Sequence, residues 1–277
     1  MKSLPLLALL CFLAWPLQAE PPQRIVSVGG SVTEIIYALG RGDKVIAVDV
    51  TSIYPQAATD LPQVGYVRNL AAEPLIAMTP DLLLAESDAG PPAVLQQIDE
   101  AGLSVVLVPD EASPEGVLAK IRAVAEAVEA VPEGAALAEQ VGKGFTRLKS
   151  EREALQEPIR VLFLLAHGGA GLASGAGTSA DAIIALAGGV NAVEGFEGYR
   201  PLSPEMAVVA APEVLLLTTQ GLDALGGMSA VEADPALSLT PAVKEGRVYA
   251  FDAMELLGFG PRTPDVALAV LQSLQAK

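Results

Sequence analysis

The chain has 277 residues, of which 51% are hydrophobic and only 4% aromatic, with a formal net charge of −16 at pH 7. That length and apolar content suffice for one large core or two moderate ones. The acidic balance argues against nucleic acid and anionic membrane as partners, since both select basic surfaces.

The opening "MKSLPLLALLCFLAWPLQAE" has a basic start at Lys2, an apolar run from Leu4 to Leu17 and a small residue, Ala19, at a cleavage point. It reads as a secretory signal peptide over residues 1–19. A membrane span needs about 20 apolar residues, and Pro5 and Pro16 break this run. The single cysteine, Cys11, lies inside the segment behind Leu10, where a lipid-modified cysteine takes a small residue. The mature chain is therefore expected to carry neither disulfide nor lipid anchor.

From Arg24 short apolar runs alternate with helical segments: "RIVSVGG" before "SVTEIIYALG", then "KVIAVD", "DLLLAE" and "SVVLVPD". Buried strands separated by helices predict a parallel sheet covered on both faces, an α/β lobe over residues 20–113. Between Ser113 and Gln156 no strand fits. Val117, Leu118, Ile121, Val124, Ala125 and Val128 make one helical stripe, "VPEG" interrupts it, and Ala138, Val141, Phe145, Leu148 and Leu155 make another. A helix from Glu133 to Leu155 would be roughly 34 Å long, a stiff connector within residues 114–157.

Alternation resumes in residues 158–277 with "RVLFLLAHGG", "TSADAIIALAGG" and "EVLLLTT". The halves echo each other: Glu73 stands seven residues before Pro80, and Glu205 seven before Pro212. Each half reads as the same small α/β unit, with each glutamate at a helix start where the dipole favours a carboxylate. Two Rossmann-like lobes joined by a long rigid helix leave a cleft between them, where ligands usually bind.

Enzymatic readings find little support. "GAGTSA", Gly175 to Ala180, has the form of a dinucleotide loop, but a lone match more often marks a tight turn opening a helix. His167 is the only histidine and no serine sits in a G-x-S-x-G elbow to pair with it, so a secreted hydrolase ranks low. One histidine and no mature cysteine fall short of the donors a dedicated zinc site requires.

The segments "RIVSVGGSVTEIIYALG", "GYVRNLAAEPLIAMTPDLLLA", "AHGGAGLASGAGTSADAIIALAGGVNAV", "YRPLSPE" and "LLGFGPRTP" span the mature chain. In these segments it resembles the periplasmic haem-binding proteins of bacterial ATP-driven importers, class III periplasmic binding proteins. The wider class of ferric-siderophore and cobalamin carriers shares the lobes and long helix but not "GYVRN"; those ligands are the alternative. The resemblance implies a non-enzymatic, monomeric periplasmic carrier. It would take haem supplied indirectly by an outer-membrane receptor and deliver it to an inner-membrane permease.

In that family the tyrosine of the first-lobe segment is an axial ligand of haem iron, which implies that role for Tyr66. Arg68 would then place charge near the phenolate or fork to a haem propionate. The residues alone leave open that Tyr66 packs at the lobe edge and Arg68 is a solvated loop charge. His167 matches a histidine that in some members ligates iron from the second lobe, with two stacked haems shared between tyrosine and histidine; otherwise it is a strand-end residue bonded to backbone. Arg262, in "GFGPRTP", matches a segment that lines the family's cleft, which implies a haem-binding role, and Tyr199 and Arg200 lie in another family segment; all three could instead be structural, since arginine stems often cover lobe surfaces. Glu73 and Glu205 match acidic residues that dock on the permease; their alternative is helix-start carboxylates.

Overall fold

The computed structural model describes residues 21–155, 157–167 and 170–276; the side chains of His167 and Ala170, and the expected signal peptide, lie outside the described residues. The first sheet is built from β1 (Ile25–Val28), β2 (Val45–Val48), β5 (Leu82–Glu86) and β6 (Ser104–Val108), in the order β2-β1-β5-β6. All its pairings are parallel. Every residue of β1 and β5 is buried, because helices cover both faces and leave no side for polar alternation. Between β2 and β5 lies a hairpin of two short strands, β3 (Gly65–Tyr66) and β4 (Asn69–Leu70).

The second sheet holds β7 (Arg160–His167), β8 (Ala170–Ser174), β9 (Val190–Asn191), β10 (Tyr199–Pro201), β11 (Val214–Thr218) and β12 (Val248–Phe251). Its centre is parallel, β7 to β11 to β12, with β9 also parallel to β7. Unlike the first sheet, it adds β8 antiparallel to β7 and β10 antiparallel to β8. The two halves are thus alike at their centres but not identical units.

Two helices lead from one sheet to the other. Pro114–Ala127 starts under Ser113, whose hydroxyl accepts from the Gly116 amide at 2.9 Å, with Pro114 in the first turn, where its missing N–H costs nothing. Val131–Arg152 follows with 22 residues, about 33 Å. It starts two residues before Glu133 and stops three short of Leu155, as its last turn frays into a turn at residues 153–154. The two pack closely only because Gly134 has no side chain: a Cβ there would lie 2.2 Å from that of Ala125.

One apolar cluster runs through both lobes and the connectors, from Ile25 and Ile35 through Ile121, Val141 and Phe145 to Phe163, Val214 and Leu271. The last helix, Thr263–Gln275, closes it with Val266, Ala267, Val270 and Leu274. A shared core of this kind holds the lobes at a fixed angle, since close-packed interiors resist sliding.

Candidate functional site

A cleft of about 800 Å³ lies between the lobes, within the range of small-ligand sites. Its first-lobe wall comes from chain that follows the carboxyl ends of β2, β5 and β6, where open α/β sheets place ligands. Asp49 builds part of that wall. Fully buried, it accepts from the Gly29 amide at 2.9 Å, from the Ser52 hydroxyl at 2.7 Å and from the Thr51 amide and hydroxyl at 3.0 and 2.7 Å. The fixed turn presents Val50, Thr51 and Ile53 to the cleft.

The β3–β4 hairpin presents the next part. Tyr66 pairs with Asn69 across a two-residue turn, and Gly65 takes φ +99°, a conformation that suits glycine. Val67 is buried while Tyr66 and Arg68 point outward, and both line the cleft. Arg68 Nη1 donates to the Tyr66 phenol oxygen at 2.6 Å, and Nη2 donates to the Asp88 carboxylate.

Deeper lie Glu86 and Asp110, with Lys120 behind them, fully buried. The Lys120 ammonium donates to Asp110 Oδ1 at 2.5 Å, to Ser31 Oγ at 2.8 Å and to the second lobe's Phe259 carbonyl at 3.3 Å, with Glu86 Oε1 at 4.0 Å. Ser31 in turn donates to Glu86 at 2.5 Å. Burial pushes the Glu86 carboxyl up to about 7 against the pull of Lys120, with Asp110 adding to the rise and the Ser31 bond opposing it. Carboxylate oxygens of Glu86, Asp88 and Asp110 lie within 4.8 Å of one another.

The second-lobe wall includes Leu165 of β7, Thr178, Tyr199 of β10, Met254 and Leu257. Burial raises the Tyr199 phenol above its ordinary value, against the opposing pull of Thr178, Arg68 and Ser174. His167 ends β7, paired with Ala170; its side chain, and so its expected contact with a ligand, lies outside the described residues.

Arg262 is not among the residues that line the cleft. Its Nη2 donates to Glu34 at 2.8 Å and its Nη1 to Glu255, while its guanidinium carbon lies 3.8 Å from the Tyr54 ring centroid. The fork that would meet an anionic ligand is filled by two carboxylates. Arg200 also stands outside the cleft lining, stacked on Phe196 at 4.9 Å. Glu73 and Glu205 are exposed in the first turns of the helices Ala72–Ala77 and Pro204–Ala210. Glu205 is held below the usual carboxylate range by its own backbone amide and by Ser203.

Sequence reasoning passed over Glu86, Asp88, Asp110 and Lys120. A signal existed for two of them: Glu86 directly ends an apolar strand run, and Lys120 stands within the apolar stripe of its helix, where an unpaired cation would not be tolerated.

Residues 25–254 match the family described as periplasmic binding protein. Among solved structures the chain is similar to the periplasmic heme-binding protein BhuT in complex with two hemes, at 40% identity, 91% coverage of this chain, 97% of that one and a TM-score of 0.86. It is 31% identical over 254 residues to the uncharacterized ABC transporter substrate-binding lipoprotein YvrC of Bacillus subtilis, covering 88% of this chain and 77% of the relative. It is also 29% identical over 263 residues to a vitamin B12-binding protein of Vibrio cholerae, covering 92% and 90%.

Proposed function

This chain belongs to the periplasmic binding protein family of substrate-binding transport proteins, and we propose that it captures haem between its lobes and hands it to an inner-membrane ABC permease. The observation that carries the reading is Tyr66: a phenol on a stapled hairpin, facing an 800 Å³ cleft, with Arg68 donating to its oxygen at 2.6 Å. Ferric iron is a hard cation that takes phenolate, and a neighbouring cation stabilises the ionised ligand. The similarity to a heme-binding protein across 91% of the chain supports the same ligand.

His167 stands two residues along β7 from the cleft-lining Leu165. We place it as the ligand of a second, stacked haem, a stoichiometry that the two-heme relative supports. The leader ending at Ala19 directs the chain to the periplasm, where a monomer receives haem that an outer-membrane receptor has admitted. Glu73 and Glu205, one on each lobe, dock on the permease. Residues 20–113 and 158–277 form the lobes, with 114–157 as the connector, and Arg262 braces them rather than touching ligand.

Titrating the purified mature chain with haemin tests the reading: a saturable visible spectrum of a ferric phenolate complex is expected. A cobalamin carrier is the second reading, favoured by the Vibrio cholerae relative. Cyanocobalamin that displaces haemin, or binds where haemin does not, would establish it instead.

A further inference from the structure

Asp88 and the Tyr66–Arg68 pair belong to separate pieces of chain that the backbone fixes against each other. The Gly90 amide donates to the Val67 carbonyl at 3.0 Å and the Leu70 amide to the Gly90 carbonyl at 2.9 Å, on either side of Arg68. The Ala89 amide donates to the Glu86 carbonyl at 2.9 Å and closes the turn that carries Asp88. Arg68 needs such an anchor, because its side chain is 56% exposed and a long flexible arginine otherwise samples solvent. Tyr66 and Asp88 are the acceptors its guanidinium meets among the described residues. The guanidinium carbon lies 5.8 Å from the ring centroid, so the cation meets the ring at its oxygen end.

We propose that Asp88 is a positioning residue that sets how strongly Tyr66 donates to ferric haem iron, by holding Arg68 against the phenol oxygen. The proposal rests on the haem reading above. A hydrogen bond into a phenolate favours its ionisation and so haem binding, but it draws electron density from the metal, disfavours the ferric state relative to the ferrous and raises the midpoint. Asp88 thus acts in two opposed ways. Its own negative charge favours the ferric state, whereas its grip on Arg68 disfavours it by keeping the donor in place. The second effect dominates, because the bond to the ligand oxygen is direct, while the Asp88 charge acts from behind the guanidinium, whose opposite charge offsets it. For the arginine this means that each terminal nitrogen already has one partner, so a propionate would meet only the N–H groups those two bonds leave over.

The sign of one measurement decides. In haemin-loaded protein, Asp88→Ala is expected to lower the midpoint and to move the phenolate-to-iron charge-transfer band in the same direction as Arg68→Ala. The double variant is expected to go no further than Arg68→Ala alone, since both changes remove one interaction. Asp88→Asn keeps an acceptor oxygen but loses the charge, is the safer variant for folding, and is expected to leave the midpoint at or slightly above the wild-type value, which separates the charge from the grip. A raised or unchanged midpoint in Asp88→Ala, or additive shifts in the double variant, overturns the proposal. Should the wild type take up no haemin, the haem reading fails by itself. A crystal structure of ligand-free Asp88→Ala then still judges the positioning, which is wrong if Arg68 remains on Tyr66.

Discussion

Arg262, at the start of the last helix, donates to Glu34 on the first helix at 2.8 Å, so one ion pair joins these two helices and the two lobes. The Glu34 side chain is only 6% exposed and Arg262 23%. Together with Lys120, whose donors divide between first-lobe side chains and a second-lobe carbonyl, the pair closes the lobe junction with charge as well as with apolar packing. A buried charge of this kind tolerates its environment only while its partner is present.

Arg262→Ala should therefore destabilise the protein by about 2–4 kcal/mol, chiefly by leaving Glu34 buried and unpaired. The haemin spectrum should keep its shape, since Arg262 does not line the cleft. Guanidinium unfolding and a haemin titration measure the two halves of this prediction. A loss below about 0.5 kcal/mol would reduce the pair to a surface contact.

Glu86 makes stability depend on pH in an unusual direction. Its carboxyl titrates at about 7 in the folded chain against an ordinary value of 4.5. Between those values the folded state holds a proton that the unfolded state has released. The stabilising contribution is thus complete below about 4.5 and is lost as pH rises through 7, a swing of about 3 kcal/mol at most. Glu86→Gln removes the swing. Its stability relative to wild type should improve between pH 5 and pH 8, and a difference that stays flat over that range would show that Glu86 titrates normally.

Tyr66→Ala should remove the phenolate charge-transfer band altogether. Arg68→Ala should keep the band, shifted, and weaken haemin binding by about 10–100-fold, the range typical for groups that orient a metal ligand. A Tyr66→Ala spectrum identical to wild type excludes the phenol as ligand.

Two haemins per chain are expected if Tyr66 and His167 each hold one iron. Titration should break at two equivalents in wild type and at one in His167→Ala, with the phenolate band intact. A sharp break at one equivalent in wild type removes the stacked arrangement.

What could be read from the sequence follows the physics of each segment. "IVSV", "LLLAE" and "VLLLT" are buried on both faces, so their unbroken apolar character survives translation into structure. The hairpin that carries Tyr66 has strands of two residues, and β10 reads Tyr-Arg-Pro; neither is long enough to show a period. Arg262 lies in a segment close to the lobe junction, but sequence proximity does not say which way a guanidinium forks, and two carboxylates outside its own segment decided that. The polar cluster of Tyr66, Arg68, Asp88, Asp110 and Lys120 draws its side chains from four separate segments, so no local pattern announces it.

The last prediction concerns Glu73 and Glu205. Each is exposed in the first turn of a short helix, one per lobe, in positions that the two halves share. Two roles compete. As helix-start carboxylates they would act on folding; as docking residues they would act on delivery, through pairing with one basic residue on each half of a two-subunit permease. The structure separates the two sites in one respect. Ser203 already caps the helix of Glu205, accepting from the Met206 amide at 3.1 Å, whereas Ala71 offers the helix of Glu73 no side-chain cap. A folding role would therefore make Glu73→Ala the more damaging change and Glu205→Ala nearly silent. A docking role makes the two losses comparable and the double variant worse than either. We expect the second pattern: haemin affinity and unfolding midpoint nearly intact in the double variant, and transfer to the reconstituted transporter reduced. The reduction should be larger at low salt, where the Debye length lets the paired charges steer docking. Transfer by the double variant at the wild-type rate, at every ionic strength, would assign the symmetry of these glutamates to the fold alone.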